Sequence, residues 1–258
     1  MSRSSFLPTL LVALTPLGMF SGGCADNRLA PDREAEFAAL LTKGQAYMER
    51  RKPQQALPAL RQAQRIRPDS PELLTTLAKA YSQLGQTRAA LDVLEQAHAL
   101  RPKDPTILHN LAVAALDEGN LDQAEAMLLE VTTRPEFDNQ ANAWHNLAIV
   151  HRKRNNPQKM VEALESALRA DPSHLLSHRS LAAFHEQSGR FELERPHLEK
   201  IVALDPDNIE ILERLGQNLL QQGLAEQARP IFKRLIQRDP NHPAAQRAHA
   251  RLLEIEQP

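Results

Sequence analysis

A 34-residue pattern recurs six times between Phe37 and His242, and it restricts this chain more than any single motif does. Each copy closes on a proline before a short polar pair: Pro68, Pro102, Pro172, Pro206 and Pro240, with Pro135 one position early. Counting back from these prolines sets the repeats at 37–70, 71–104, 105–140, 141–174, 175–208 and 209–242; five have 34 residues and the third has 36. A period of this size predicts an array of helix pairs stacked in one dimension, with a long binding surface in place of one globular core.

The second copy shows the anatomy. Leu74, Leu77, Ala78 and Tyr81 fall at repeat positions 4, 7, 8 and 11, the spacing of one helix face. Gly85 at position 15 ends that helix, because glycine accepts the left-handed backbone of a helix C-terminus. Ala90, Leu94 and Ala97 make the inner stripe of a second helix, and Pro102, with no N–H to donate, stops it. The other copies follow. Position 20 reads Ala56, Ala90, Ala124, Met160, Glu194 and Ala228; position 24 reads Leu60, Leu94, Leu128, Leu164, Leu198 and Phe232. Small residues at position 20 let the two helices approach closely, so Met160 and Glu194 predict looser packing in repeats 4 and 5.

This constellation resembles the tetratricopeptide repeat (TPR) family. The resemblance implies an all-α fold, a right-handed superhelix of six helix-turn-helix repeats, with ligands along the concave face formed by the first helices. The last repeat needs a lid. Residues 243–258 supply one: Ala244, Ala245, Ala248, Leu252 and Ile255 form an apolar stripe, with Gln246, Arg247, Arg251, Glu254 and Glu256 facing outward. The expectation is thirteen helices and no sheet.

Ahead of the repeats, Met-Ser-Arg is followed by an apolar run from Phe6 to Phe20, too short to span a bilayer comfortably and interrupted by Pro8 and Pro16. A basic start, a short apolar middle and the small residues Ser21, Gly22 and Gly23 read as a secretory signal over residues 1–23. Cys24, the only cysteine, follows directly. The arrangement resembles a bacterial lipoprotein signal, although Ser21 stands where an aliphatic residue is usual. That resemblance implies lipid attachment at Cys24, a periplasm-facing protein, and, with Ala25 next, the outer membrane. Several acyl chains on one residue would anchor the protein stably. Residues 24–36 then form the lipidated cysteine and tether, with Asp32, Glu34 and Glu36 favourable in the first helical turn.

Composition removes several function classes. The chain has 31 basic and 32 acidic side chains, interspersed along the repeats and not clustered by sign, so there is no nucleic-acid footprint. The sequence has no glycine-rich phosphate loop and no His-Glu-x-x-His pair, and a lipidated Cys24 could not act as a nucleophile. Of ten histidines, His178 and His185 fall at packing positions 4 and 11; His109 and His145 both occupy position 5 and could lie close, but two imidazoles make a poor metal site. The reading is therefore a non-catalytic scaffold with no cofactor, no metal and no small-molecule substrate, whose partner is a protein and whose only membrane contact is the lipid.

The candidate groove follows from the exposed positions of the first helices: Leu41, Met48, Lys79, His109, Asn110, Val113, Leu116, Asn142, His145, Asn146, Ile149 and Arg179. Asparagine amides can bond a peptide backbone while Leu41, Met48, Val113, Leu116 and Ile149 supply apolar contact. Alternatively, superhelical curvature or the tether could cover these apolar residues. The carboxylate clamp of chaperone-binding members is missing: His109 and Val113 precede Asn146, and Leu176 and Ser180 stand where bases are needed.

Six repeats behind a lipidated cysteine resemble the type IV pilus pilotins (the PilF/PilW/Tgl-type family), which escort an outer-membrane secretin and help it assemble. The resemblance rests on the lengthened third repeat with Thr132, Thr133, Arg134 and Pro135, on Asn110, and on Asn146 and Leu147 followed by Pro157; Leu111 and Ala112 depart from the Tyr-Gly expected there. It implies a secretin as partner. An adaptor for another envelope machine, serving peptidoglycan enzymes, secretion or polysaccharide export, fits the same features.

Overall fold

The computed structural model describes residues 30–256, so the signal segment, Cys24 and most of the tether lie outside the described residues. Thirteen helices follow one another: α1 (Pro31–Glu49), α2 (Pro53–Ile66), α3 (Pro71–Gln83), α4 (Thr87–Leu100), α5 (Pro105–Glu118), α6 (Leu121–Thr132), α7 (Gln140–Lys153), α8 (Pro157–Ala170), α9 (Leu175–Gln187), α10 (Phe191–Leu204), α11 (Ile209–Gln221), α12 (Ala225–Arg238) and α13 (Pro243–Glu256). No strand occurs among the described residues. Six antiparallel pairs stack into a right-handed superhelix, and α13 closes its C-terminal end.

Local chemistry sets the helix ends. Pro71, Pro105 and Pro157 occupy the first turn, where no amide donor is needed. The N-caps Ser70, Asp104, Asn156 and Asn208 accept a backbone N–H through their side-chain oxygens. Second helices stop before the position-32 prolines, as α4 does at Leu100 ahead of Pro102. Position 15 has a positive φ in all six repeats: Gly85, Gly119, Gly189 and Gly223, but also Arg51 and Asn155, each at φ 55°. The same left-handed turn thus forms whether or not the residue is glycine, because the packing of the two helices it joins imposes it.

The first helix is longer than its repeat. It begins at Pro31, inside the segment 24–36 expected to be tether. Asp32 and Glu34 in its first turn favour the helix dipole. Glu34 pairs with Arg67, whose guanidinium lies 4.4 Å from the Phe37 ring centroid. These contacts fasten the added turns to the repeat behind them.

The core is a chain of inter-helix layers. Every position-24 residue is buried, from Leu60 at 0% to Leu94 at 2% exposure, and four of the six position-20 residues are alanines at 0%. The buried apolar residues divide into two clusters. One runs from Phe37 to Leu181 and the other from Ala182 to Leu252. Polar side chains occupy the division: Ser177, His178, His185 and Glu194 are all buried. Glu194 fits at a small-residue position because Arg214 Nε donates to it at 2.6 Å and Asn218 Nδ2 at 2.8 Å. In the cap, Ala244, Ala245, Ala248 and Leu252 are buried against the last repeat.

Candidate interaction groove

The first helices α3, α5, α7, α9 and α11 line up their exposed faces, and side chains bond from one repeat to the next. His109 at position 5 accepts from Asn146 Nδ2 at position 6 of the next repeat, at 3.1 Å. His145 makes the equivalent contact one repeat on, with Ser180 Oγ at 3.2 Å. His174 Nε2 reaches back to Asn142 Oδ1 at 3.1 Å while its Nδ1 meets Ser177 Oγ at 2.8 Å. Lys153 Nζ donates to the Leu116 carbonyl at 3.4 Å. The position-5 histidines are thus spent on separate inter-repeat bonds, which is why His109 and His145 do not pair with each other.

Burial keeps these rings neutral. His109 packs on Phe137 with centroids 5.1 Å apart, and burial pushes its pKa down, partly offset by a hydrogen bond to Asn110. His145 sits edge-on to His174 at 5.6 Å; burial, with the charges of His174 and Arg152, lowers it to about 4. Neutral imidazoles and amides make hydrogen bonds without attracting counter-ions, a surface suited to a polypeptide backbone.

Not all the expected groove residues reach it. Leu41 and Leu116 are 6% and 3% exposed and belong to the hydrophobic core, so they offer no surface to a ligand. The same positions 5 and 12 are exposed at Arg179 and Arg152, so the burial is local to these two apolar side chains, which a single-helix projection does not show. Met48, Val113 and Ile149 are half-buried; Met48 and Ile149 lean on the core from outside. Asn110, Asn142 and Asn146 are likewise half-buried, and Lys79 and Arg179 are exposed. The apolar component of the face is therefore narrower than its sequence pattern and centred on Val113 and Ile149.

Sequence reasoning missed His197. It comes from α10 to meet His178, Nδ1 to Nδ1 at 3.0 Å, and stacks on His185 with centroids 5.9 Å apart. His178 Nε2 donates to the Pro172 carbonyl at 3.1 Å, so its Nδ1 is the acceptor and His197 the donor. Burial, together with His178 and His185, lowers His197 to about 4. The only signal for it was its place immediately before the buried Leu198. Among the described residues, no three His, Cys, Asp or Glu side chains are arranged to hold a metal ion, and no helix is long and apolar enough to cross a membrane.

Comparison with solved structures places the same architecture elsewhere. Pseudomonas aeruginosa PilF superposes with a TM-score of 0.66 at 19% identity, covering 85% of this chain and 99% of that one. PilW, a type IV pilus biogenesis factor, gives 0.67 at 16% identity, covering 86% and 100%. MamA from Desulfovibrio magneticus gives 0.56 at 21% identity over 67% of this chain and 97% of that one. At these identities the likeness concerns the fold. No curated protein matches the sequence. Two family models, both for the tetratricopeptide repeat, match: one at residues 47–96, 83–149 and 195–252, the other at 145–209. With the helix pairs, the left-handed turns and the closely packed positions 20 and 24 all in register, this chain belongs to the tetratricopeptide repeat family, whose fold is a scaffold for protein–protein interaction.

Proposed function

We propose that this protein is a non-catalytic scaffold, lipid-anchored through Cys24 to the periplasmic side of the outer membrane, that assists assembly or localisation of a type IV pilus secretin. One coincidence carries the reading. A short apolar leader ending in Gly22, Gly23 and Cys24 precedes a six-repeat array whose fold extends over nearly the full length of PilF and of PilW, the second a type IV pilus biogenesis factor. The concave face of repeats 3–5 supports it: half-buried Val113 and Ile149 offer apolar contact, and Asn110, Asn142 and Asn146 offer amides for a backbone.

In a deletion strain the secretin should fail to form multimers in the outer membrane, and restoring the wild-type chain should recover them. Cys24→Ala should move the protein out of the membrane fraction and block precursor processing. Ile149→Asn with Val113→Thr should weaken capture of the secretin after cross-linking in intact cells, with helix content unchanged. Normal multimers in the deletion strain would exclude the pilus role. Leu111 and Ala112, where the pilotin resemblance expects Tyr-Gly, favour the second reading, an adaptor for another envelope machine. In that case cross-linking recovers a peptidoglycan, secretion or export component in place of a secretin.

A further inference from the structure

Two residues too large for their repeat positions meet between repeats 4 and 5. Position 10 is Ala46, Ala80, Ala114 and Val150 in the first four repeats, but Phe184 in the fifth. Ala80, Ala114 and Val150 are buried, whereas Phe184 is only half-buried. Position 20 is alanine in four repeats, but Met160 in the fourth. The sixth repeat has the buried Asn218 there, so Phe184 is the one aromatic at this position, and it packs against the core only in part. Beside it, between α8 and α9, lies a pocket of about 230 Å³ lined by both Phe184 and Met160.

The pocket has a definite chemistry. Met160, Phe184, Ala183 and Pro157 give it apolar walls, and Arg152 and Gln187 stand at its polar side. Ala183 and Arg152 are also positions of the concave face, so the pocket opens beside the groove. Its volume lies below the ~300 Å³ at which small-molecule sites begin and suits one bulky side chain. Methionine and phenylalanine together make an adaptable apolar wall. Arg152 adds a charge requirement. Nearby arginines are already engaged: Arg154 by Asp122 and Glu125, and Arg214 by Glu186 and Glu194. Arg152 is exposed and forms no ion pair among the described residues.

We propose that this pocket between α7, α8 and α9 is an anchor site for a partner polypeptide, accepting one leucine- or phenylalanine-sized side chain whose neighbouring Asp or Glu pairs with Arg152. A single buried anchor beside a charged contact is the arrangement that concentrates binding energy in protein interfaces. The site adjoins the Val113 and Ile149 surface, Arg152 lying three residues beyond Ile149 on α7, and does not depend on the pilus reading, since any partner with an apolar–acidic pair would satisfy it.

The test uses the full chain labelled with ¹³C at the methionine methyls, the Met160 signal being assigned through Met160→Leu. Three capped hexapeptides, Gly-Ser-Leu-Glu-Ser-Gly and its Leu-Gln and Ser-Glu counterparts, are titrated to about 5 mM, enough to half-saturate a millimolar contact. The Met160 methyl should shift saturably with the Leu-Glu peptide, bind the Leu-Gln peptide about 3-fold more weakly or worse, and ignore the Ser-Glu peptide. Arg152→Gln should remove the preference for Glu over Gln, and Ala183→Leu, which fills the pocket, should abolish the shift while the circular dichroism spectrum is retained. No Met160 shift with Leu-Glu, an equal response to Ser-Glu, or shifts confined to the other methionines would overturn the anchor. An unchanged Glu preference in Arg152→Gln would overturn the charge pairing.

Discussion

Replacing Gly216 by alanine tests whether close packing or helix propensity governs the last repeat. Gly216 is buried at repeat position 8, in α11, facing Phe232 at repeat position 24, in α12, which is 1% exposed. A Cβ at Gly216 would lie 2.4 Å from Phe232 Cε1, 2.6 Å from Cζ and 2.9 Å from Cδ1. Alanine in mid-helix is favoured over glycine by ~1 kcal/mol, but forcing a methyl into a filled core costs ~1–3 kcal/mol. Since the encroaching atoms belong to a rigid ring, the upper part of that range, ~2–3 kcal/mol, applies, and after the ~1 kcal/mol propensity gain Gly216→Ala should lose ~1 to 2 kcal/mol. Repeats 2–5 carry alanine against leucine at these two positions, Ala78 with Leu94 and Ala182 with Leu198 among them. Phe232→Leu should therefore make room, and the double variant should recover ~1 kcal/mol or more relative to the sum of the singles. Urea unfolding of the four members of the cycle measures this, with comparison restricted to variants of unchanged slope. Gly44 is the control. Its added Cβ would meet Leu60 Cδ2 at 2.3 Å, but leucine can turn as it does opposite alanine in the other repeats, so Gly44→Ala should stay within ~0.5 kcal/mol of wild type. A Gly216→Ala protein as stable as wild type, or strict additivity in the double variant, would refute the argument.

The polar layer yields the other predictions. Glu194→Ala restores the residue most repeats carry but removes an acceptor from Arg214, which keeps Glu186, and from Asn218, which keeps the Phe191 carbonyl, so it should cost ~1–3 kcal/mol; Glu194→Ala with Asn218→Ala should recover part of that in thermal melts, and a single variant that melts higher than wild type would contradict the role given to Glu194. His145 and His197 are held near 4 in the folded protein, against about 6.5 unfolded, so the unfolded chain binds more protons between those values. Stability from these two groups is therefore complete above about pH 6.5 and is lost as the pH falls toward 4, on the order of 1 kcal/mol in all once solvent screening of the part-exposed rings is allowed for. The urea midpoint should drop between about pH 7 and about pH 5, less steeply in His197→Gln; an equal slope in both proteins would remove His197 from the account.

Part of the site was legible before any coordinates. The position-24 stripe, the position-15 turn and the apolar face of α13 follow from the spacing of residues along single helices, and the burial of His178 and His185 follows from their register. What was not legible involves contacts between repeats. Leu41 and Leu116 read as groove residues on a helical projection, yet both are buried in the core. His109 and His145 looked like partners from their shared position, yet each bonds the following repeat instead. Arg51 and Asn155 carry no glycine signal for the turn they make.

By itself, then, the sequence determined the period, the helix pairs, the cap and the membership of the tetratricopeptide repeat family, because each depends on residues within one or two turns of each other or on a repeat that copies them. Only the tertiary structure decided where stacking fails. Whether Glu194 is tolerated depends on Arg214 and Asn218 one helix away, and whether Phe184 and Met160 pack or part depends on three helices at once. The layer at repeat 5, where the core divides and the pocket opens, is a sum of such long-range fits, and volume and hydrogen-bond complementarity between separate helices have no signature in the order of residues along any one of them.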